Sequence, residues 1–408
     1  MEDFKIMNRH KDGLQSRKSL IWGSYYAMFV NGVLTLMLGA VMPNLIQAYG
    51  LGYEIGGLML AAHSAGHLTA SLLVSVMALK LGRKLSAALL SLAGALGFVG
   101  MIYTSLPVVL VSLYFLTGLA RGSASTVTNE IVNEASLGDA HAMNILHTFY
   151  AVGAFIAPFL ALICVQAGLG WQAALVITAL GIAARSVLFL AMPIEEQGSG
   201  ESGAKPAAEV GVSRTEAGTN SGGYLKNPAF YIIAGLLFFY LGAESAINGW
   251  AVTYLKDAGI MSTGFAQSIL SLLWVVIIFG RLFAGRLSRS VGKARLLVIQ
   301  AVGSSVFFFL FMLTRSVVPL ALWIIGLGFF FAGVFPTAVA VIGPELKGAK
   351  MGMGLLIFIA GFGAILMPMV TGIIAEQIGI YGGMATIGAS LLLMLLFSMI
   401  VDKRTKSR

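Results

Sequence analysis

Cysteine is nearly absent: Cys164 is the one thiol in 408 residues. That excludes an internal disulfide framework and a cysteine-built metal site. Charge is scarce too, with Asp, Glu, Lys and Arg making up 11% of the chain, against roughly 25% in soluble domains. A chain that is 58% hydrophobic with so little charge cannot cover a water-facing surface. Also missing are a phosphate-cradling glycine loop, a metal-ligand cluster and a nucleophile motif, and the longest polar stretch, 194–227, leaves no room for a soluble catalytic domain. These absences argue against an enzyme and against a metal or organic cofactor.

Apolar runs fill the rest. Mean hydropathy is +0.89, and stretches long enough to cross a bilayer, about 20 residues each, follow one another. Their limits predict twelve spans at 20–48, 53–79, 85–104, 107–135, 141–167, 170–193, 228–256, 262–287, 294–314, 318–343, 350–376 and 380–401. The fold class expected is therefore an all-α membrane protein with the lipid bilayer as its main partner. Of the 26 Lys and Arg, all but Lys256, Arg315, Arg121 and Arg185 fall in tails and turns on one side of these spans. By the positive-inside rule that side is cytoplasmic, which places both termini there and the protein in the cell's inner membrane. The same distribution accounts for the net charge of +9 without nucleic acid. No cleavable leader is expected, because the basic tail runs straight into a full-length span.

The chain divides into a tail (1–19), a six-span unit (20–193), a linker (194–227) rich in Gly, Ser, Ala, Glu and Thr, a second six-span unit (228–401) and a short tail (402–408). At an offset of 210 residues the two units align. Gly82 falls on Gly292 in basic turns, Gly118 on Gly328, Gly153 on Gly363 and Pro158 on Pro368. The units are expected to be structural repeats. A monomer is expected.

Ionisable side chains at membrane depth are costly unless paired or facing water, so each is a candidate for function. Glu244 lies well inside span seven, where a carboxyl can be neutral in one state and charged in another. Asn248 follows one turn later on the same face, and Trp250 and Tyr254 form an aromatic pair near the span's far end. An indole there can stack on a solute or serve in an interfacial belt. Asn144 and His147 share a face of span five, His63 and His67 a face of span two. The latter spacing suits a metal, but no third ligand accompanies it. Arg121, at the centre of span four, is expected to face a cavity or pair with Glu130 or Glu244. Arg185 is expected to snorkel to the nearer interface. Asn31, Asn129 and Asn133 complete the polar set, and Glu130 and Glu134 sit towards the cytoplasmic end of span four.

Two six-span units joined by a long linker resemble the major facilitator superfamily, whose mark is a basic turn between spans two and three. Here it reads Gly82-Arg83-Lys84, with a second copy at Gly280-Arg281 to Gly285-Arg286. Both copies lack the family's aspartate, so the resemblance implies no acid-based latch at either turn. Within the superfamily, Asn144 to Pro158 and the run Glu244-Ser245 to Gly249-Trp250 and Tyr254 are similar to the fucose, galactose and glucose proton symporters, as is Asn129. An acid expected late in span one is missing. The resemblance implies a secondary transporter of a small polyhydroxylated solute, a sugar, driven by a proton or other ion gradient. Glu244, Arg121 and Glu130 would carry coupling. Asn31, His63, His67, Asn129, Asn144, His147, Asn248 and Trp250 would hold the solute. The missing acid and the many Phe and Met side chains keep a proton-driven efflux carrier for amphipathic compounds as the alternative.

Overall fold

A computed structural model of the chain describes residues 2–194, 223–346, 349 and 351–406; most of the expected linker lies outside them. In lipid every backbone N–H must find its acceptor within its own segment, so the apolar runs fold as helices. They are α1 (Glu2–Tyr49), α2 (Tyr53–Leu81), α3 (Arg83–Gly100), α4 (Pro107–Ala135), α5 (Ala140–Gln166), α6 (Gly170–Ala191), α7 (Pro228–Asp257), α8 (Thr263–Val291), α9 (Lys293–Leu313), α10 (Val317–Phe331), α11 (Val334–Ile342) and α12 (Gly352–Lys406). α10 and α11 together make one crossing, interrupted after Phe331. α12 makes two, because Gly379 at φ 86° reverses it after Ile378. Twelve crossings result, as the apolar runs predict. Two boundaries differ: the expected tail 1–19 and first span are a single helix, and the last crossing continues as helix through Lys406 of the expected tail 402–408.

The repeat is visible in detail. Gly82 and Gly292 both stand at φ 80° in the tight turns after α2 and α8. That region is cheap only for glycine. α1 packs on α5, where a side chain at Gly153 would strike the Phe29 carbonyl; α7 packs on the first part of α12, where one at Gly363 would strike the Phe238 carbonyl. Likewise α2 packs on α4 as α8 packs on α10, and α3 on α6 as α9 on α12. Two bundles of six crossings result.

The halves meet through α1 with α7, α2 with α12, and α5 with α8. Every hydrogen bond between them among the described residues lies towards the end opposite the termini. Tyr53 donates its backbone N–H to Glu376 (2.6 Å) and its hydroxyl to Asp257 (2.9 Å). Lys256 donates to Gln47 (3.0 Å), Gln267 to the Ala40 carbonyl (3.0 Å) and Ser271 to the Phe155 carbonyl (2.9 Å). That end is sealed. α4, α10 and α11 make no substantial contact with the opposite half, so the groove between the bundles opens towards the termini.

Candidate functional site

On the second half, Glu244 and Asn248 of α7 line a narrow crevice whose other walls are apolar: Leu273 and Ile277 of α8, Leu327 and Phe331 of α10. Helical spacing puts the two polar side chains one turn apart on one face. Tyr240, one turn earlier, donates its hydroxyl to Glu244 Oε1 (3.2 Å) and rests against Phe331, ring centroids 4.9 Å apart. Glu244 forms no ion pair among the described residues, yet the charges of Arg281 and Arg121 both reach it. Asn248 Oδ1 accepts from Trp274 Nε1 (3.1 Å), and Trp274 meets Tyr150 of α5 edge to face at 5.8 Å. The crevice is thereby tied to the first half.

On the first half the wall is α4 against α2. Side chains at Gly118 and Gly122 would strike the carbonyls of His63 and His67, so these glycines let the helices touch and bring Arg121, between them in sequence, beside the histidines. His63 is buried. Its Nδ1 lies 2.9 Å from Thr117 Oγ1, while Nε2 has no hydrogen-bond partner. Thr117 gives its own proton to the Tyr114 carbonyl (2.6 Å), so His63 Nδ1 is the donor and Nε2 an acceptor. Arg121 is half-buried, its Nε without an acceptor, and its charge, with that of His67, reaches His63.

Several expectations need correction. Arg185 does not snorkel: it is 0% exposed and donates to Asn31 Oδ1 and the Ala120 carbonyl, both at 3.2 Å. Its position on α6 faces α1 and α4 rather than lipid, and the buried acceptors there hold it. Asn31 is consequently a hub and not a solute ligand in this conformation. Its Nδ2 donates to Ser125 Oγ (3.0 Å) and the Arg121 carbonyl (3.2 Å), so donors and acceptor are all engaged. Arg121 does not pair with Glu130. That carboxylate, with Glu134, holds Arg83 of the basic turn at 3.3 and 2.9 Å, nine residues and about 13 Å along α4 from Arg121. Glu130 therefore sits at the termini end, away from the coupling position assigned to it.

Trp250 does not face the groove. It is 0% exposed, donates Nε1 to the Pro368 carbonyl (3.0 Å) and wedges between Gly56 of α2 and Gly372 of α12. Its indole belongs to the seal, since small residues on both neighbours leave a slot of its shape. Tyr254 is buried too, its hydroxyl on the Met312 carbonyl (3.1 Å). Asn129 is buried and donates to the Ser125 carbonyl (2.7 Å) on its own helix. Asn144 is exposed and His147 half-buried, both within about two turns of the termini end of α5 rather than at its centre.

The residues that sequence reasoning misses are Arg281, Tyr240, Trp274 and Tyr150. Arg281 reads as part of the basic turn, although ten residues of α8 separate it from the helix end at Val291; that distance, about 15 Å, is legible in the sequence. Tyr240 precedes Glu244 by four, the spacing of same-face neighbours. For Trp274 and Tyr150 no local signal exists. Among the described residues no group of three or more His, Cys, Asp or Glu is placed to hold a metal.

Residues 25–352 match the family model of the Major Facilitator Superfamily. Protein TsgA of Salmonella enteritidis PT4 and of Shigella flexneri is 22% identical to the chain over 371 residues, covering 89% of it and 90% of the relative. Among solved structures, a mutant form of the nucleoside transporter NupG superposes with a TM-score of 0.76 at 17% identity, covering 95% of this chain and 99% of that one. A bacterial homologue of the human lysosomal transporter Spinster, inward-facing and occupied, also gives 0.76, at 14% identity over 95% and 97% of the two chains.

Proposed function

The chain belongs to the Major Facilitator Superfamily and is a multi-pass membrane transporter, not an enzyme; from this we propose that it moves a small polyhydroxylated solute, of the sugar class, across the inner membrane with protons. The two bundles rock about the groove where Glu244 and Arg121 face each other's charge. With both termini in the cytoplasm, as the Lys and Arg asymmetry indicates, the sealed end is external and the groove faces inward. The protein acts as a monomer.

One observation carries the coupling: Glu244, at membrane depth, is held by a tyrosine hydroxyl and reached by two arginine charges without forming an ion pair with either. Such a carboxyl can release its proton when an arginine approaches and regain it when the bundles part. Asn248 supplies hydroxyl recognition beside it, and the nucleoside cargo named for NupG, itself a hydroxylated solute, supports that class. Glu244→Gln mimics the protonated state. In proteoliposomes the variant is expected to exchange labelled solute across the membrane at a wild-type rate while losing accumulation driven by a pH gradient. A variant that still concentrates solute to the wild-type level overturns the assignment.

The apolar walls of the crevice support a second reading, efflux of amphipathic compounds. A resistance profile of expressing cells that widens on expression, without hexose counterflow in vesicles, would select it. Orientation has its own check: a C-terminal reporter that fluoresces only in the cytoplasm should be bright.

A further inference from the structure

The groove holds an imbalance of charge. Among the described residues at membrane depth, Arg281 and Arg121 both bring their charge to one carboxylate, Glu244, and Arg185 stands apart inside the first bundle; none of the four forms an ion pair. Arg185 is sealed in by oxygens of Asn31 and Ala120 and cannot be reached. Arg121 is different: it is half-buried on the groove wall, and no carboxylate among the described residues stands on that wall at its level. When the open groove closes over it, an arginine left uncompensated costs several kcal/mol, and a carboxylate can take its planar fork with two parallel hydrogen bonds.

The neighbour of Arg121 narrows the ligand further. His63 Nε2 is a buried acceptor without a donor, and the Thr117 to Tyr114 relay keeps it an acceptor while the ring is neutral. A hydroxyl would satisfy it; a second carboxylate would not. We propose that the solute is a hydroxylated carboxylate, of the aldonate or hexuronate type, whose acid group docks on Arg121 and whose adjacent hydroxyl donates to His63. Its remaining hydroxyls point across the groove to Asn248. This rests on the transport reading and specifies its cargo: an acid sugar rather than a neutral one. It also gives Arg121 a role separate from proton relay.

Binding tests it directly. The purified full-length protein is heated with gluconate, glucose or glucose 6-phosphate at matched ionic strength, since a ligand of the folded state raises the apparent Tm. Gluconate is expected to stabilise and glucose not. Arg121→Gln should weaken gluconate binding at least about tenfold, while removing a cation far from the groove, by Lys403→Gln in the last turn of α12, retains it. Should Arg121→Gln fail to fold, Arg121→Lys keeps the charge, loses the fork and should still weaken gluconate severalfold. Equal shifts from glucose and gluconate, no shift from gluconate, a shift from glucose 6-phosphate alone, or an arginine variant with undiminished affinity each overturn the proposal. Proton-driven uptake of neutral glucose would overturn it and leave the transport reading standing. Gluconate binding without any proton-driven uptake would do the reverse.

Discussion

Arg185 and Asn31 separate two kinds of buried polar residue. Both are candidates for function by depth, yet Asn31 is fully engaged with Arg185 and α4, and Arg185 bonds Asn31 and α4 through both terminal nitrogens while its Nε is buried without a partner. Arg185→Leu should therefore lower stability, by about 1 to 3 kcal/mol for the acceptors left unpaired. Solute affinity should not change, and the paired change with Asn31→Leu should recover part of the loss. Thermal unfolding of the single and double variants checks this. Trp250 makes the opposite point. Because its indole fills the seal, Trp250→Ala removes packing worth about 3 to 5 kcal/mol from the closed outer end. It should act by opening that end, seen as faster labelling of an engineered cysteine at Gln47, rather than by losing a stacking surface. Depth and helical face are legible in the sequence for all of these residues. Which neighbouring helix each face meets is not, because in a chain apolar on every side no hydrophobic periodicity marks the inward direction.

At the scale of helices, two sets of close approaches do different work. Gly153 and Gly363 pack crossings within a bundle, whereas Gly57 meets the Pro368 carbonyl across the joint between bundles, with 2.9 Å to an added Cβ. Gly153→Val should force α1 from α5 and lower the unfolding temperature. Gly57→Val should leave each bundle intact and penalise only the sealed conformation, by about 1 to 3 kcal/mol of overpacking. That is enough for a shift of roughly 5- to 150-fold between states. Unfolding scans beside accessibility of the outer end distinguish them. The glycines, the turns at Gly82 and Gly292, and the pairing of Gly153 with Gly363 are readable from an offset of 210 residues, since a repeated fold must repeat its tight turns and contacts. The reversal at Gly379 is readable as well. The ion pair from Arg83 to Glu130 and Glu134 is not: it joins residues 47 and 51 apart, and nothing in either segment announces the other.

For the whole molecule, the asymmetry between a sealed end and an open one follows from where the bonds between halves are placed. Hydrogen bonds from Tyr53, Lys256, Gln267 and Ser271, with the Trp250 wedge, hold one end. At the other, Arg83 with Glu130 and Glu134 binds α3 to α4 within a half, and no hydrogen bond between described residues joins the halves. Transport requires that this asymmetry reverse. Electron–electron distance measurements on spin labels, in a Cys164→Ala background, test it most directly. One pair, at Ala48 and Ser262, spans the sealed end; the other, at His141 and Met351, spans the open end. Two distances are predicted for each pair, in reciprocal proportions, with the balance shifting between acidic and basic pH in the wild type and insensitive to pH in Glu244→Gln. A single distance at each pair, unmoved by pH and by the substitution, would contradict the account.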